Sequence, residues 1–176
     1  MGDTPAWNPS GFVAELIGRC RSDTAFRAAM RRADNPRTEA FAWPHLVKWC
    51  DLGKPHERLP FALVAAAVAR EKPERDGNMD IGQLFHSICR DKEDTETERE
   101  QRRFRRLLAC DNTAELCEVL RPVLRYLQDK APGRVGYARL LSDMLYYGEK
   151  VKLRWAGHFF AHTEEPADKG DGDVSD

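Results

Sequence analysis

At 176 residues the chain is long enough for one good-sized hydrophobic core or two small ones, and its 41% hydrophobic content suits a globular protein. No apolar run approaches the roughly eighteen residues that a membrane span needs. The net charge of -1 conceals segregation. Residues 19–32 carry five arginines against one acid, residues 99–154 carry thirteen Lys and Arg against seven Asp and Glu, and the balancing acids fall mostly in residues 91–100 and in the tail from Glu164.

Taken in chain order, nearly every periodic segment reads helical. Asn8 and Pro9 form a cap and first-turn pair ahead of a stripe of Phe12, Val13, Leu16, Ile17 and Cys20. Asp23 can cap a second helix carrying Phe26 and Met30, ended by Asn35 and Pro36. Trp43 and Pro44 open a third, with Leu46, Val47 and Cys50 expected on one inward side and Gly53 past its end. Pro60 is read as the first-turn proline of the Ala-rich run FALVAAAVAR. Residues 72–79, KPERDGN and the methionine after it, form a loop and the expected boundary between two halves.

Beyond that loop, Ile81, Leu84, Phe85 and Ile88 make a short helix, and residues 91–97 are acidic and polar, hence expected to be mobile. Residues 99–108, REQRRFRRLL, place Phe104, Leu107 and Leu108 on one helical face. Asn112 and Glu115 are spaced as a capping box for a helix through Leu116, Leu120, Val123, Leu124 and Leu127. Pro122 inside it would cost about 3 kcal/mol in a straight helix and predicts a kink. Tyr137, Leu140, Leu141, Met144 and Leu145 repeat at i, i+3, i+4, i+7 and i+8, closed by Gly148. Residues 151–155, VKLRW, alternate like a strand but have no partner run, so a helix through Phe159 and Phe160 is expected. The fold class is therefore all-α and bundle-like: a helical half over residues 1–71, a loop over 72–79, a second half over 80–163, and a disordered acidic tail over 164–176.

The five cysteines, at 20, 50, 89, 110 and 117, lack CxxC spacing, and no signal-peptide pattern opens the chain. Buried free thiols in a reducing cytoplasm are the expectation. His158 and His162 share a helix face, but two ligands without a third donor make no zinc site, so no metal or cofactor is expected. No GxGxxG, P-loop or HExxH motif occurs, and paired carboxylates fall only in loops and tail. The sequence offers no catalytic constellation, and a non-enzyme is expected.

The arginines carry the remaining signal. Arg99, Arg102, Arg103 and Arg106 form a row of about two turns, roughly 10 Å long. Arg27 and Arg31 stand at i and i+4 with Arg32 adjacent, and Arg121, Arg125 and Gln128 form a third row. Any one of these can be a solvated surface charge, paired with Glu98 or Glu100 for tenths of a kcal/mol. Three rows together suit contact with a phosphate backbone without base reading, because guanidinium forks match phosphate oxygens. No exposed aromatic series interleaves with them, which argues against a stacking-dominated single-strand binder. Two other readings of a helical, Arg-rich chain are a protein-binding adaptor with an acidic partner, and a regulator of duplex DNA. The latter would need a recognition helix with a polar reading face, which Leu116 to Leu127 lacks at its start.

The run RRFRRLLACDNTAELCEVLRPVLRYL, followed by YARLLSDMLYYGEKVKLRWAGHFF, resembles the CasB family, the small subunit of the type I-E CRISPR surveillance complex known as Cascade. The resemblance rests on Arg102, Arg103, Phe104, Arg106, Leu107, Leu108 and Asp111, then Leu120, Arg121 and Arg125. It continues through Tyr137, Ala138, Arg139, Leu140, Leu141, Tyr146, Tyr147, Gly148, Trp155 and Ala156. It spans about residues 80–160, including the IGQLF helix start, and is looser before them, where Arg31 and Arg32 fit. The resemblance implies an all-helical, non-enzymatic subunit present in two copies. It would lie against the guide-carrying backbone subunits, the large subunit, the guide RNA with its target DNA, and the displaced single-stranded DNA of the R-loop. It adds Arg139 to the arginines expected to bind nucleic acid. The acidic tail departs from the pattern and has no role in it.

Overall fold

The computed structural model describes residues 6–161, and every regular element among them is helical. The expected disorder of the tail concerns residues outside this range. The first helix, α1 (Pro9–Ser22), starts as its sequence dictates: Asn8 Oδ1 accepts the Gly11 N–H at 2.9 Å and Pro9 takes the first turn. It buries Phe12, Val13, Leu16 and Cys20. Asp23 ends α1 and caps α2 (Thr24–Met30) through the Phe26 N–H at 2.9 Å.

The next segment departs from expectation. After a 3-10 turn (Glu39–Phe41), α3 (Trp43–Leu46) spans a single turn and buries only Leu46, leaving Val47 60% exposed. The helix begun by Pro44 is too short to carry the inward face its sequence suggested.

The centre of the molecule is α4 (Pro55–Glu71). Every residue from Pro60 to Ala69 is buried, so the helix is apolar all round and takes neighbours on every side. It packs against α1, α2, α7 (Thr113–Lys130) and α8 (Tyr137–Leu145). Its alanines let those neighbours approach closely. Here too the sequence misplaced a boundary: Pro55 occupies the first turn, and Pro60 lies inside the helix. The polar run HERL between the two prolines disguised the first turn and a half.

Residues after Lys72, which adopts a left-handed conformation (φ 52°), cross to an isolated parallel bridge between Met79 and Val135. Asp80 and Gln83 then cap α5 (Ile81–Cys89) reciprocally, each side chain bonding the other's backbone N–H at 2.9 and 3.0 Å. The following helix, α6 (Asp94–Leu108), starts five residues before the arginine run, with Asp94 and Glu96 in its first turn. The acidic stretch expected to be mobile is therefore half helix. In α7, Asn112 accepts the Glu115 N–H at 3.0 Å, while the Glu115 carboxylate reaches back to Asp111 N–H. The helix runs on through Pro122.

The VKLRW segment is helical, within α9 (Glu149–Phe160), which packs along α5. Phe104 of α6 is fully buried between these two, its ring centroid 5.4 Å from Phe85 and 4.6 Å from Phe159. Burying a side chain of that size is worth about 2–3 kcal/mol. Helices from both sides of the mid-chain loop contribute to one hydrophobic cluster. Among the described residues, no helix is long and apolar enough to cross a membrane.

Candidate nucleic-acid interface

On α6 the 3.6-residue period sends Phe104 and Leu107 into the core and leaves Arg99, Arg102, Arg105 and Arg106 exposed. Among the described residues none of these four has a carboxylate within ion-pair distance. Arg103 behaves differently. Its Nη1 donates to both oxygens of Glu100, at 3.1 and 2.9 Å, and its guanidinium lies 4.1 Å from the Tyr126 ring centroid.

Glu100 is not the solvated partner the sequence suggested: it is buried, and also accepts the Tyr126 hydroxyl at 2.6 Å, with Lys92 Nζ at 3.4 Å. Burial and the Glu100 hydrogen bond push the Tyr126 hydroxyl above its ordinary pKa. The signal was present in the sequence, since Glu100 stands four before Phe104 on the buried stripe. Tyr126, lying on a different helix, could not be assigned to it.

Arg121 and Arg125, of the third row, lie on α7, the helix that also borders the first row. Arg103 and Arg106 form one wall of a groove of about 450 Å³ whose other wall is α7, from Glu118 to Tyr126. On another side of α7, Arg121 faces Asp34 and Pro36, and Arg125 Nη2 lies 3.9 Å from Asp34 Oδ2. Asp34 is buried, and its main partner is Arg70 at 2.9 Å. Asp34 thus ties the turn after α2 to α4 and α7, and Arg31 and Arg32, both exposed, begin that turn. The Arg32 guanidinium lies 4.9 Å from the ring of Phe41, which is 58% exposed. Gln128 is not part of the row: its amide donates to the Ala67 carbonyl and the Tyr137 hydroxyl, pinning α7 to α4 and α8.

Two predicted arginines lie elsewhere. Arg27 donates its Nε to the Ala69 carbonyl at 3.0 Å and helps end α4. Arg139 sits on α8 with Nη2 3.9 Å from the buried Asp80. That carboxylate also faces Arg154 and His158, and Arg154 bonds Asp143, which in turn accepts the Trp155 indole N–H at 2.8 Å. Of the two histidines considered for metal, His158 is engaged with Asp80, and His162 lies outside the described residues. Burial raises all five thiols, Cys50 and Cys117 to about 12. They have the character of core residues rather than nucleophiles.

Comparison with known families settles the relationship. Residues 26–160 match the family model described as CRISPR-associated protein Cse2. The chain belongs to the Cse2 family. Two solved structures share its fold. TTHB189, a Cse2-family CRISPR-associated protein of Thermus thermophilus, is 25% identical over 90% of this chain and 99% of its own, with a TM-score of 0.66. CasB from Thermus thermophilus is 26% identical over 89% of this chain and 99% of its own, with a TM-score of 0.60. Among curated protein sequences there is no match. The Cse2 match begins at Phe26 and so takes in Arg27, Arg31 and Arg32, where the sequence resemblance was strong only from about residue 80.

Proposed function

We propose that this Cse2 protein is the non-catalytic small subunit of a type I-E CRISPR ribonucleoprotein effector, holding nucleic-acid backbone while the R-loop stands open. The observation that carries the reading is the row Arg99, Arg102 and Arg106 on α6, exposed and without carboxylate partners among the described residues. Arg31, Arg32, Arg121 and Arg125 make a second basic group, around the Asp34 turn and the other side of α7. Such a surface contacts phosphates with no requirement on sequence. Exchange of DNA duplex for guide heteroduplex is close to energetic balance, so a few backbone contacts are enough to tip it; that logic is general to guided effectors. In this reading the protein works in the cytoplasm beside a second copy of itself and the backbone and large subunits. Its strands are the guide-bound target and the displaced single-stranded DNA. Arg27, Arg103 and Arg139, expected in the same role, each make a structural contact, and Arg27 and Arg139 lie away from the α6 row.

The experiment is a triple reversal, Arg99→Glu, Arg102→Glu and Arg106→Glu, in the assembled complex. Single-strand affinity should fall, its salt dependence should flatten by about 0.7 in log–log slope for each phosphate no longer neutralised, and R-loops should shorten in lifetime. Unchanged affinity and unchanged R-loop lifetime would refute the reading.

A further inference from the structure

The groove between α6 and α7 holds features that backbone contact alone does not use. Its floor is apolar, made of Val119, Pro122 and Val123. At about 450 Å³ it falls in the size range of small-ligand clefts, large enough for one nucleotide. On one wall the Arg103 guanidinium is already fixed as a plane, clamped by both Glu100 oxygens and laid against Tyr126. An ordered guanidinium plane beside an aromatic ring is a surface on which a base can stack at low entropic cost.

The opposite wall supplies acceptors. Glu118 is exposed, lines the groove, and has no cation within ion-pair distance among the described residues. One turn further on, Pro122 has no N–H to give the Glu118 carbonyl, so that carbonyl lacks its usual helical donor. A carboxylate in the middle of a phosphate-tracking surface would only repel the strand if the strand passed with its phosphates inward. It becomes favourable if a base edge carrying amine hydrogens is turned toward it.

We infer that this groove seats one unstacked nucleobase of the bound strand and favours bases with an exocyclic amine over thymine or uracil. The base lies against Arg103 and the apolar floor, its amine donates to Glu118, and Arg106 takes the adjoining phosphate. Thymine and uracil place carbonyl oxygens where the amine would stand, which sets two acceptors against each other. The inference rests on the nucleic-acid reading above and adds a base preference to it.

Fluorescence anisotropy with labelled oligodeoxycytidine and oligodeoxythymidine of equal length tests it, using the full chain at slightly alkaline pH so that cytosine stays unprotonated. The two pyrimidines match in size, so stacking differs little between them. Wild type is expected to bind the cytidine strand at least about fivefold more tightly. Glu118→Gln, whose amide both donates and accepts, should bring the ratio to within about twofold while raising overall affinity. Arg106→Glu should weaken both strands together. Equal binding of both strands by wild type overturns the base site and leaves the backbone reading standing. An unchanged ratio in Glu118→Gln overturns the assignment of Glu118. If wild type binds neither strand, both this inference and the nucleic-acid reading fall. If oligonucleotide binding ignores both Glu118→Gln and Arg106→Glu, the groove is a protein contact instead.

Discussion

The Asp80 carboxylate, wholly buried at the start of α5, lies 2.5 Å from Nδ1 of His158 on α9. Its other oxygen caps the Gln83 N–H at 2.9 Å, and the guanidiniums of Arg139 and Arg154 stand 3.9 Å away. One side chain therefore starts a helix and gathers two guanidiniums and an imidazole from two others. Asp80→Ala removes the cap and leaves the two guanidiniums and the His158 ring around an apolar methyl. The expected loss is about 2–3 kcal/mol, below the figure for a fully buried pair because both arginines are partly exposed to solvent. Asp80→Asn keeps a capping oxygen and should lose less. Urea midpoints of the two variants check this ordering; equal losses would mean that the cap contributes nothing.

The helical class of this protein was open to inspection because its apolar residues keep a helical period nearly throughout, and because Asn8, Asp23 and Asn112 announce helix starts by chemistry that acts over three residues. Contacts that close over tens of residues left no such trace. Nothing local marks Asp80 or Asp143 as buried, and the apolar stripe that places Glu100 inward does not name Tyr126 as its partner, yet all three carboxylates are held by groups on another helix. The same limit applied to the arginines. Periodicity marked Arg102 and Arg103 as neighbours in one row, but only the packing of α7 against α6 separates a free cation from one clamped on Tyr126. The α4 start was hidden for a different reason: two prolines, Pro55 and Pro60, both satisfy the rule for a first turn, and local sequence does not rank them.

That difference between adjacent arginines is measurable. Arg102 is exposed and has no partner among the described residues, so Arg102→Glu should change stability by no more than about 0.5 kcal/mol. Arg103→Glu sets a second carboxylate beside buried Glu100 and removes two charge-assisted hydrogen bonds to it; a loss of about 2–3 kcal/mol is expected. Guanidinium chloride denaturation followed by circular dichroism reads both. Comparable midpoints for the two variants would show that the Glu100–Tyr126 cluster holds without Arg103.

Glu57 gives stability a pH dependence with a defined sign. Burial acts to raise its pKa, but the Asp51 N–H at 3.0 Å and Lys54 Nζ at 3.5 Å prevail and hold it below the ordinary 4.5. Folding thus favours the carboxylate, so its contribution is complete above pH 4.5 and is lost as pH falls through the lowered native value. Glu57→Gln should cost about 1–2 kcal/mol at neutral pH, and the gap to wild type should close in acid. Thermal melts of the pair at neutral pH and near pH 3 test the trend; a gap that stays constant between them would assign the cost to shape rather than charge.

Two glycines at the α5 and α9 pair should answer the same substitution with opposite signs. A Cβ on Gly82 would come within 2.1 Å of the Trp155 carbonyl oxygen, a backbone atom that cannot swing aside. Gly82→Ala must therefore pry α5 from α9, at a cost of about 1–3 kcal/mol. Gly157 lies in the interior of α9, where a Cβ meets nothing within 4 Å and the backbone is helical. Gly157→Ala fills open space and reduces the freedom of the unfolded chain, so it should stabilise by about 0.5–1 kcal/mol. Denaturation midpoints that move in opposite directions support the close approach of the two helices; two midpoints falling together would contradict it, because helix propensity alone predicts that both should rise.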